Sequence, residues 1–296
     1  MITIKNPGQG TFWRALGVAE RGELLAIGRL ATVPARGALC HQAVPSPEVV
    51  VFVDGYGKES MDSQDGAEAI LELFGPGDLE GDFAIWGHPQ RATVTAIVES
   101  RVLRIESRKF AALVAANPRV ADALMRTLAT RWTYAGRRSA VQSGPPAQRV
   151  AFHLQELAVR FGRRAPHGVE IPMPFSQAEL ANWIGISRES LVRSYSRWRG
   201  TTIDTTNPRW LVVLDPSALR HAAMPWGQEW EQPEPVPTVT ARLAVRPPVM
   251  VGRAGVAAHL PASGEHFTGR RRELVDLSLL LADRPSIIVI QGMAGV

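Results

Sequence analysis

The hydrophobic period of this chain changes near residue 107, and that change constrains the fold more than any other feature of the sequence. Before it, residues 31–107 hold short apolar runs broken by Gly and Pro turns. VVVFVDG (49–55) ends in a turn signal, ILELFGPGD (70–78) runs into Gly-Pro-Gly-Asp, and ATVTAIVESRVLRI (92–105) alternates over two short runs. Many short strands at this spacing predict a barrel or sandwich. After residue 107 the period is helical. Ser107 is placed to cap a helix through Ala116, and Asn117-Pro118 opens a second, with proline at the tolerated first position. On that second helix Val120, Leu124, Leu128 and Trp132 recur four apart as one apolar stripe. The stripe suits packing on its own domain and a dimer seam about equally. Ahead of the strands, residues 12–30 read as a short helical stretch built on Phe12, Leu16, Leu24, Leu25 and Ile27.

Composition narrows the class. At 296 residues the chain is long enough for about two domains. The single cysteine, Cys40, cannot close an internal disulfide, and an iron–sulfur centre that needs about four thiolates is excluded. Cys40 reads as an inert core residue, and the seven histidines show no metal spacing. No run reaches the ~18 apolar residues of a membrane span. MITIKNPGQG lacks the charged start and apolar stretch of a signal peptide, so a cytoplasmic protein with no membrane partner is expected. No Ser/His/Asp or paired-carboxylate constellation suggests catalysis, so an enzyme is not expected.

Charge is unevenly placed. Residues 1–147 carry 16 basic and 15 acidic groups, residues 148–224 carry 10 and 6, and residues 225–296 carry 7 and 7. The excess sits in the middle segment. Apart from Lys5, Lys58 and Lys109 every basic residue is arginine, whose planar fork grips phosphate or guanine with two bonds at once.

That middle segment opens after Gly144-Pro145-Pro146, which breaks the helical pattern and marks a hinge over 143–147. Residues 148–162 form an amphipathic helix ending at Gly162, and residues 203–215 alternate like a hairpin with Asn207-Pro208 at the tip. Between them, SQAELANWIGISRESLVRSYSRWR (176–199) holds two helical stretches. Ser176 with Glu179 three later is a capping-box pair. Leu180 and Ile184 face inward, Gly185 permits a tight turn, and Ser187 caps the next helix with Ser190 just inside it. Leu191 anchors that helix, while Arg188, Glu189 and Arg193 share its exposed face. Arginines can pair with guanine and a glutamate can accept from cytosine in the major groove. The alternative is a solvated basic face, but cap, glycine turn, helix and hairpin together favour recognition.

The run Ser187-Arg188-Glu189-Ser190-Leu191-Val192-Arg193 resembles the signature S-R-E-T-V-x-R of the cyclic-AMP receptor protein / fumarate–nitrate regulator (Crp/Fnr) family and its winged helix-turn-helix. The resemblance implies that Arg188, Glu189 and Arg193 read bases. It implies that Ser176, Ser187 and Ser190 contact phosphates, and that Arg209 on the wing hairpin reaches the DNA backbone.

A second resemblance lies at 79–96, LEGDFAIWGHPQRATVTA. It is similar to the F-G-E-L-A-L…P-R-A-A-T-V cassette of cyclic-nucleotide-binding domains, through Gly81-Asp82-Phe83-Ala84 and Arg91-Ala92-Thr93-Val94. In that cassette the arginine neutralises the cyclic phosphate, amides near the glycine cradle it, and the acid holds the ribose hydroxyl. The resemblance therefore implies a ligand set of Gly81, Asp82, Phe83, Arg91, Ala92 and Thr93. Two departures stand out: the acid is Asp82 rather than Glu, and Ala135-Gly136 align with the Thr-Ser pair that contacts adenine. Three occupancies stay open: cyclic AMP, another small effector, or none, with Asp82 and Arg91 then a structural ion pair.

At the C-terminus IIVI (287–290) runs into Gly292-Met293-Ala294-Gly295-Val296. With Phe267-Thr268-Gly269-Arg270 upstream, this resembles the start of an NB-ARC-like signal-transduction P-loop ATPase, cut before its lysine. The expected fold class is α+β. A cyclic-nucleotide-binding-type β-roll (jelly roll) spans 1–117, a dimerisation helix and hinge 118–147, and a winged helix-turn-helix 148–224. A linker follows over 225–264 and a truncated P-loop start over 265–296. The leading expectation is a dimeric, sequence-specific transcription regulator controlled by a small effector. Its partners would be double-stranded DNA, a second copy and RNA polymerase. The alternatives are the regulatory front end of a longer signalling ATPase and a ligand-independent DNA-binding protein.

Overall fold

The computed structural model describes Ile4, residues 7–62 and residues 68–223. The expected linker at 225–264 and P-loop start at 265–296 lie outside the described residues. The chain opens with two helices, α1 (Phe12–Ala15) and α2 (Val18–Ile27). The helical stretch expected through residue 30 ends at Ile27, because Gly28 begins strand β1 (Gly28–Val33). Gly28 lies against Leu103, where a Cβ would come within 2.7 Å of the leucine side chain.

Seven more strands complete the N-terminal region: β2 (Ala38–Cys40), β3 (Glu48–Asp54), β4 (Gly57–Asp62), β5 (Glu68–Phe74), β6 (Leu79–Glu80), β7 (Thr93–Ala96) and β8 (Ser100–Glu106). They form two antiparallel sheets, β1-β8-β3-β6 and β2-β7-β4-β5. Val50, Phe52 and Val102 of the first sheet share a core with Cys40, Phe74, Val94 and Ala96 of the second, so the sheets face each other as the turn-rich pattern predicts. Phe52 and Phe74 stack across that core at 5.6 Å. The first sheet is buried on its other face too. Val49, Val51, Val53, Leu103 and Ile105 pack against Phe12, Leu24, Phe110 and Val120 of the flanking helices. Burial on both faces explains why VVVFV is continuously apolar rather than alternating.

Helix α3 (Ser107–Ala116) follows β8 directly. Ser107 was expected to cap it, but Glu106 occupies the N-cap position with no side-chain cap bond. The Ser107 N–H donates instead to the Pro47 carbonyl at 2.8 Å, so a backbone bond to the residue before β3 holds the junction that a cap would hold. Helix α4 (Pro118–Val141) starts as the sequence indicates, with the Asn117 side chain accepting from the Arg119 N–H. Its 24 residues span about 36 Å at 1.5 Å each. The apolar stripe divides along this length. Val120 and Leu124 are buried in the core and Leu128 packs against it, whereas Trp132 is 82% exposed and Met125 66%.

Helix α5 (Pro146–Phe161) begins the C-terminal region after the Gly144-Pro145 break. Strands β9 (Arg163–Ala165) and β10 (Gly168–Pro172), neither expected, come before α6 (Gln177–Ile184) and α7 (Arg188–Trp198). Then come β11 (Ile203–Asp204), β12 (Trp210–Val213) and α8 (Pro216–Ala223). The four strands make one sheet, β11-β12-β10-β9, so the expected hairpin is real but is half of a larger wing. Asp215, expected at the hairpin's end, instead accepts from the Ser217 and Ala218 N–H groups at 2.9 Å and starts α8.

The two regions are fastened together. Ile70 and Leu73 of β5 belong to the same core as Val150, Leu154, Leu157, Leu180 and Trp183. Asn182 of α6 lies on the free edge of β5: its amide donates to the Glu68 carbonyl at 2.7 Å and accepts from the Ile70 N–H at 2.9 Å. Beneath this contact lies a buried ion cluster. Arg160 meets Glu72 at 2.6 Å, Glu156 at 3.1 Å and Asp78 at 3.2 Å, and Arg138 meets Glu72 at 2.6 Å. The cluster joins β5, the turn after it, α4 and α5.

Candidate functional site

The helix-turn-helix is built from local rules. Ser176 accepts from the Glu179 N–H at 3.1 Å while Glu179 accepts from the Ser176 N–H at 2.9 Å, the reciprocal capping box the sequence predicts. Burial pushes the Glu179 carboxyl up, but its bonds from Ser176 and the charge of Lys58 win and hold it below its ordinary range. Lys58 of β4 stands 3.4 Å away. Gly185 ends α6 at φ 74°, ψ 38°, a left-handed conformation that a side chain would strain. Arg149 of α5 donates to the Ile184 and Gly185 carbonyls at 2.8 and 2.5 Å, satisfying groups that the end of a helix leaves open.

Ser187 then caps α7, accepting from the Ser190 N–H at 3.2 Å. Leu191 is fully buried and Ser194, Tyr195 and Trp198 complete the inner face. Arg188, Glu189 and Arg193 are exposed. Arg193 donates to the Ser190 hydroxyl at 3.0 Å, and Arg188 reaches Gln177 of α6 at 3.4 Å. Glu189's own backbone N–H and the Ser187 hydroxyl hold its carboxyl below the ordinary range. The structure thus brings Ser187, Arg188, Glu189, Ser190 and Arg193 onto one helix end beside Gln177, with Ser176 at the start of the preceding helix. Arg209 lies apart, exposed in the β11–β12 loop, its N–H donating to the Asn207 side chain at 2.9 Å.

Behind α6, His153 of α5 is fully buried. Its Nδ1 lies 2.8 Å from the Arg149 carbonyl and its ring meets Trp183 edge-on at 4.7 Å. Burial pulls it down to about 4, with the Arg149 carbonyl opposing and the Arg138 and Arg149 charges adding. The imidazole is therefore neutral, and the Nδ1–H donates to the carbonyl.

In the β-roll, Gly81 has φ +90° and a Cβ there would come within 2.9 Å of the Glu48 carbonyl, so glycine is required. Asp82 and Phe83 follow in a short 3-10 helix, Asp82–Trp86, with Asp82 half-buried. Ala92 is buried, and the Thr93 hydroxyl accepts from the Gln42 N–H at 3.1 Å. Arg91 closes a two-bond ion pair on Glu59 of β4, Nε to Oε1 at 2.9 Å and Nη2 to Oε2 at 3.1 Å. Near it Glu80 is buried, and its Oε1 accepts from the Cys40 thiol at 3.4 Å. Burial pushes Glu80 up to about 7, against the Cys40 bond, with the Asp82 and Glu59 charges adding to the rise. Burial also pushes the Cys40 thiol far up, so it stays protonated and unreactive. Among the described residues no group of three or more His, Cys, Asp or Glu could hold a metal ion.

Glu59 and Glu80 were not foreseen. GKESMD carries no apolar alternation, so nothing in the sequence marks residue 59 as inward-facing. Only the pairing of β4 with β7 does.

The comparisons agree with this layout. Residues 148–222 match the family described as the Crp-like helix-turn-helix domain, and residues 31–117 match the cyclic nucleotide-binding domain. The chain is 28% identical over 150 residues to a CRP-like cAMP-activated global transcriptional regulator of Mycobacterium tuberculosis, covering 50% of this chain and 66% of that one, just under two thirds. It is 29% identical over 178 residues to the nitrogen fixation regulation protein FixK of Azorhizobium caulinodans, covering 58% and 70%. The solved structure of FixK2 from Bradyrhizobium japonicum shares the fold, with a TM-score of 0.61 at 18% identity over 67% of this chain and 98% of that one. With a cyclic nucleotide-binding domain ahead of a Crp-like helix-turn-helix domain, and with matched relatives described as regulators, the chain is similar in domain order to the Crp/Fnr family of transcriptional regulators.

Proposed function

We propose that this regulator reads a two-fold symmetric DNA site as a homodimer, with α7 as the recognition helix and the β-roll as its effector domain. The observation that carries the reading is the N-terminal face of α7, where Arg188, Glu189 and Arg193 are exposed together above a buried Leu191. Arg188 and Arg193 donate to guanine, Glu189 accepts from cytosine, and Ser176, Ser187, Ser190 and Arg209 hold the phosphates. Selection of duplexes from a random pool at fixed physiological salt tests this. An enriched palindrome with half-sites one helical turn apart is expected, and no enrichment would overturn it. Arg188→Ala should weaken the selected site by about 1–3 kcal/mol and relax preference at one base pair. Uniform weakening across all sequences would assign Arg188 to the backbone instead.

The dimer seam in this reading is the exposed face of α4 that carries Met125 and Trp132. Trp132 and Met125 present large apolar surfaces to solvent in the single chain, and such patches mark association surfaces. Trp132→Glu with Met125→Glu should leave a folded monomer by analytical ultracentrifugation and abolish high-affinity operator binding. A dimer that survives both changes would move the seam elsewhere. RNA polymerase is the proposed further partner, and loss of operator-dependent transcription without loss of DNA binding would map its contact. The strand-and-glycine pattern at 287–296 supports a finer reading, in which the regulator fronts a P-loop signalling ATPase. A Gly-Lys-Ser/Thr run after Val296 in the reading frame would carry that reading, and another sequence there would end it.

A further inference from the structure

The cyclic nucleotide-binding domain implies a ligand with an anionic cyclic phosphate. In this chain the arginine that would receive it is already engaged. β4 pairs β7 with Glu59 opposite Val94 and Gly57 opposite Ala96. Directly opposite residues share a face, and Val94 and Ala96 lie in the core between the two sheets, so Glu59 is an inner-face residue. Only 11% of its side chain is exposed. A carboxylate on such a face is tolerated when it is paired and hydrogen-bonded, and here both oxygens are bound by the Nε–Nη2 edge of Arg91. That edge is the one that receives two phosphate oxygens in parallel.

The surroundings add to the mismatch. Glu80 is 3% exposed, and its Oε2 has no hydrogen-bond partner. Glu59 and Asp82 are close enough to raise the Glu80 carboxyl, with Arg131 opposing them. Three carboxylates therefore share the region with Arg91 and Arg131. An incoming phosphate would have to displace the Glu59 carboxylate from Arg91, itself partly exposed, and approach two further acidic groups.

We propose that Glu59 is a built-in anion that occupies the phosphate position at Arg91 and excludes free cyclic nucleotides from the β-roll. It is a specificity-determining residue, and the effector class the roll admits is uncharged or cationic. This rests on the reading of the β-roll as the effector domain.

The test is calorimetric titration of the full-length chain with cyclic AMP. The wild-type protein should show no saturable binding at millimolar ligand. Glu59→Ala should bind cyclic AMP at least roughly tenfold more tightly, the scale of a hydrogen bond to a charged group. Adding Arg91→Ala to Glu59→Ala should remove the gain. Glu59→Gln keeps the side-chain shape and should fall between, which covers a folding defect in the alanine variant. Saturable wild-type binding that Arg91→Ala abolishes would overturn the proposal. So would equal affinity in the wild type and both Glu59 variants. Duplex selection on the same wild-type sample separates the two readings: failure to enrich a site sinks the regulator reading and leaves the cyclic-AMP result standing.

Discussion

Replacing Arg160 by methionine will lower the unfolding free energy by about 3–5 kcal/mol, the usual cost of breaking a buried ion cluster from one side. The guanidinium is almost fully enclosed and makes four contacts. It donates to Glu72 at 2.6 Å, to the Leu73 carbonyl at 2.7 Å, to Glu156 at 3.1 Å and to Asp78 at 3.2 Å. Methionine fills much of the volume but none of the charge. Glu72 would keep Arg138 at 2.6 Å, while Glu156 would keep only a 3.9 Å contact with the same arginine. The two glutamates already differ. Burial pushes both up, but Arg160 and Arg138 hold Glu72 well below its ordinary range, whereas Glu156 stays raised despite them. Loss of Arg160 therefore strands Glu156 first, and Glu156→Gln in the Arg160→Met background should recover part of the loss. Urea denaturation measures all three proteins. A loss below about 1 kcal/mol would mean the cluster contributes no more than an exposed pair does.

Two large slopes will oppose each other and partly cancel in the pH dependence of wild-type stability between about 4.5 and 6.5. Glu80 titrates near 7 in the folded chain, against an ordinary value of 4.5. Its contribution is fully present below 4.5 and is lost as pH rises through 7. His153 titrates near 4 when folded, against 6.5. Its contribution is present above 6.5 and is lost as pH falls through 4. Each shift corresponds to about 3 kcal/mol at 1.36 kcal/mol per pH unit. Glu80→Gln should expose the His153 slope, with stability rising from pH 4.5 to 6.5. His153→Phe should expose the reverse slope. Urea midpoints measured across pH 4–8 decide the matter, and a Glu80→Gln profile that overlays the wild type would refute the Glu80 assignment.

The parts of this fold that were legible in the sequence are those set by neighbours in the chain. The capping box at Ser176 and Glu179, the glycine at 185, the proline start of α4 and the alternation over 92–105 each carry their structural reason within a few residues. The exposed face of α7 proposed to read bases belongs to the same class, since helical spacing alone puts Arg188, Glu189 and Arg193 together. What stayed hidden depends on partners far along the chain. RRA pairs with GVEIP, and GVEIP with β12, and neither has a periodic pattern of its own. Glu72 and Arg160 lie 88 residues apart, and each reads as an ordinary surface charge until β5 and α5 meet. Trp132 shows the same limit from the other side: its spacing puts it on the stripe of Val120 and Leu124, yet it is exposed where those two are buried.

The amide of Asn182 spans one C=O and the N–H two residues on along an edge strand. It thus behaves like one peptide unit of a missing neighbour strand. An edge repeats that donor–acceptor pair only every two residues, about 7 Å. The DNA-binding domain cannot creep along the roll by fractions of that distance without losing both bonds. Its docking is therefore stepwise, like a tooth in a rack: engaged in one notch, or free.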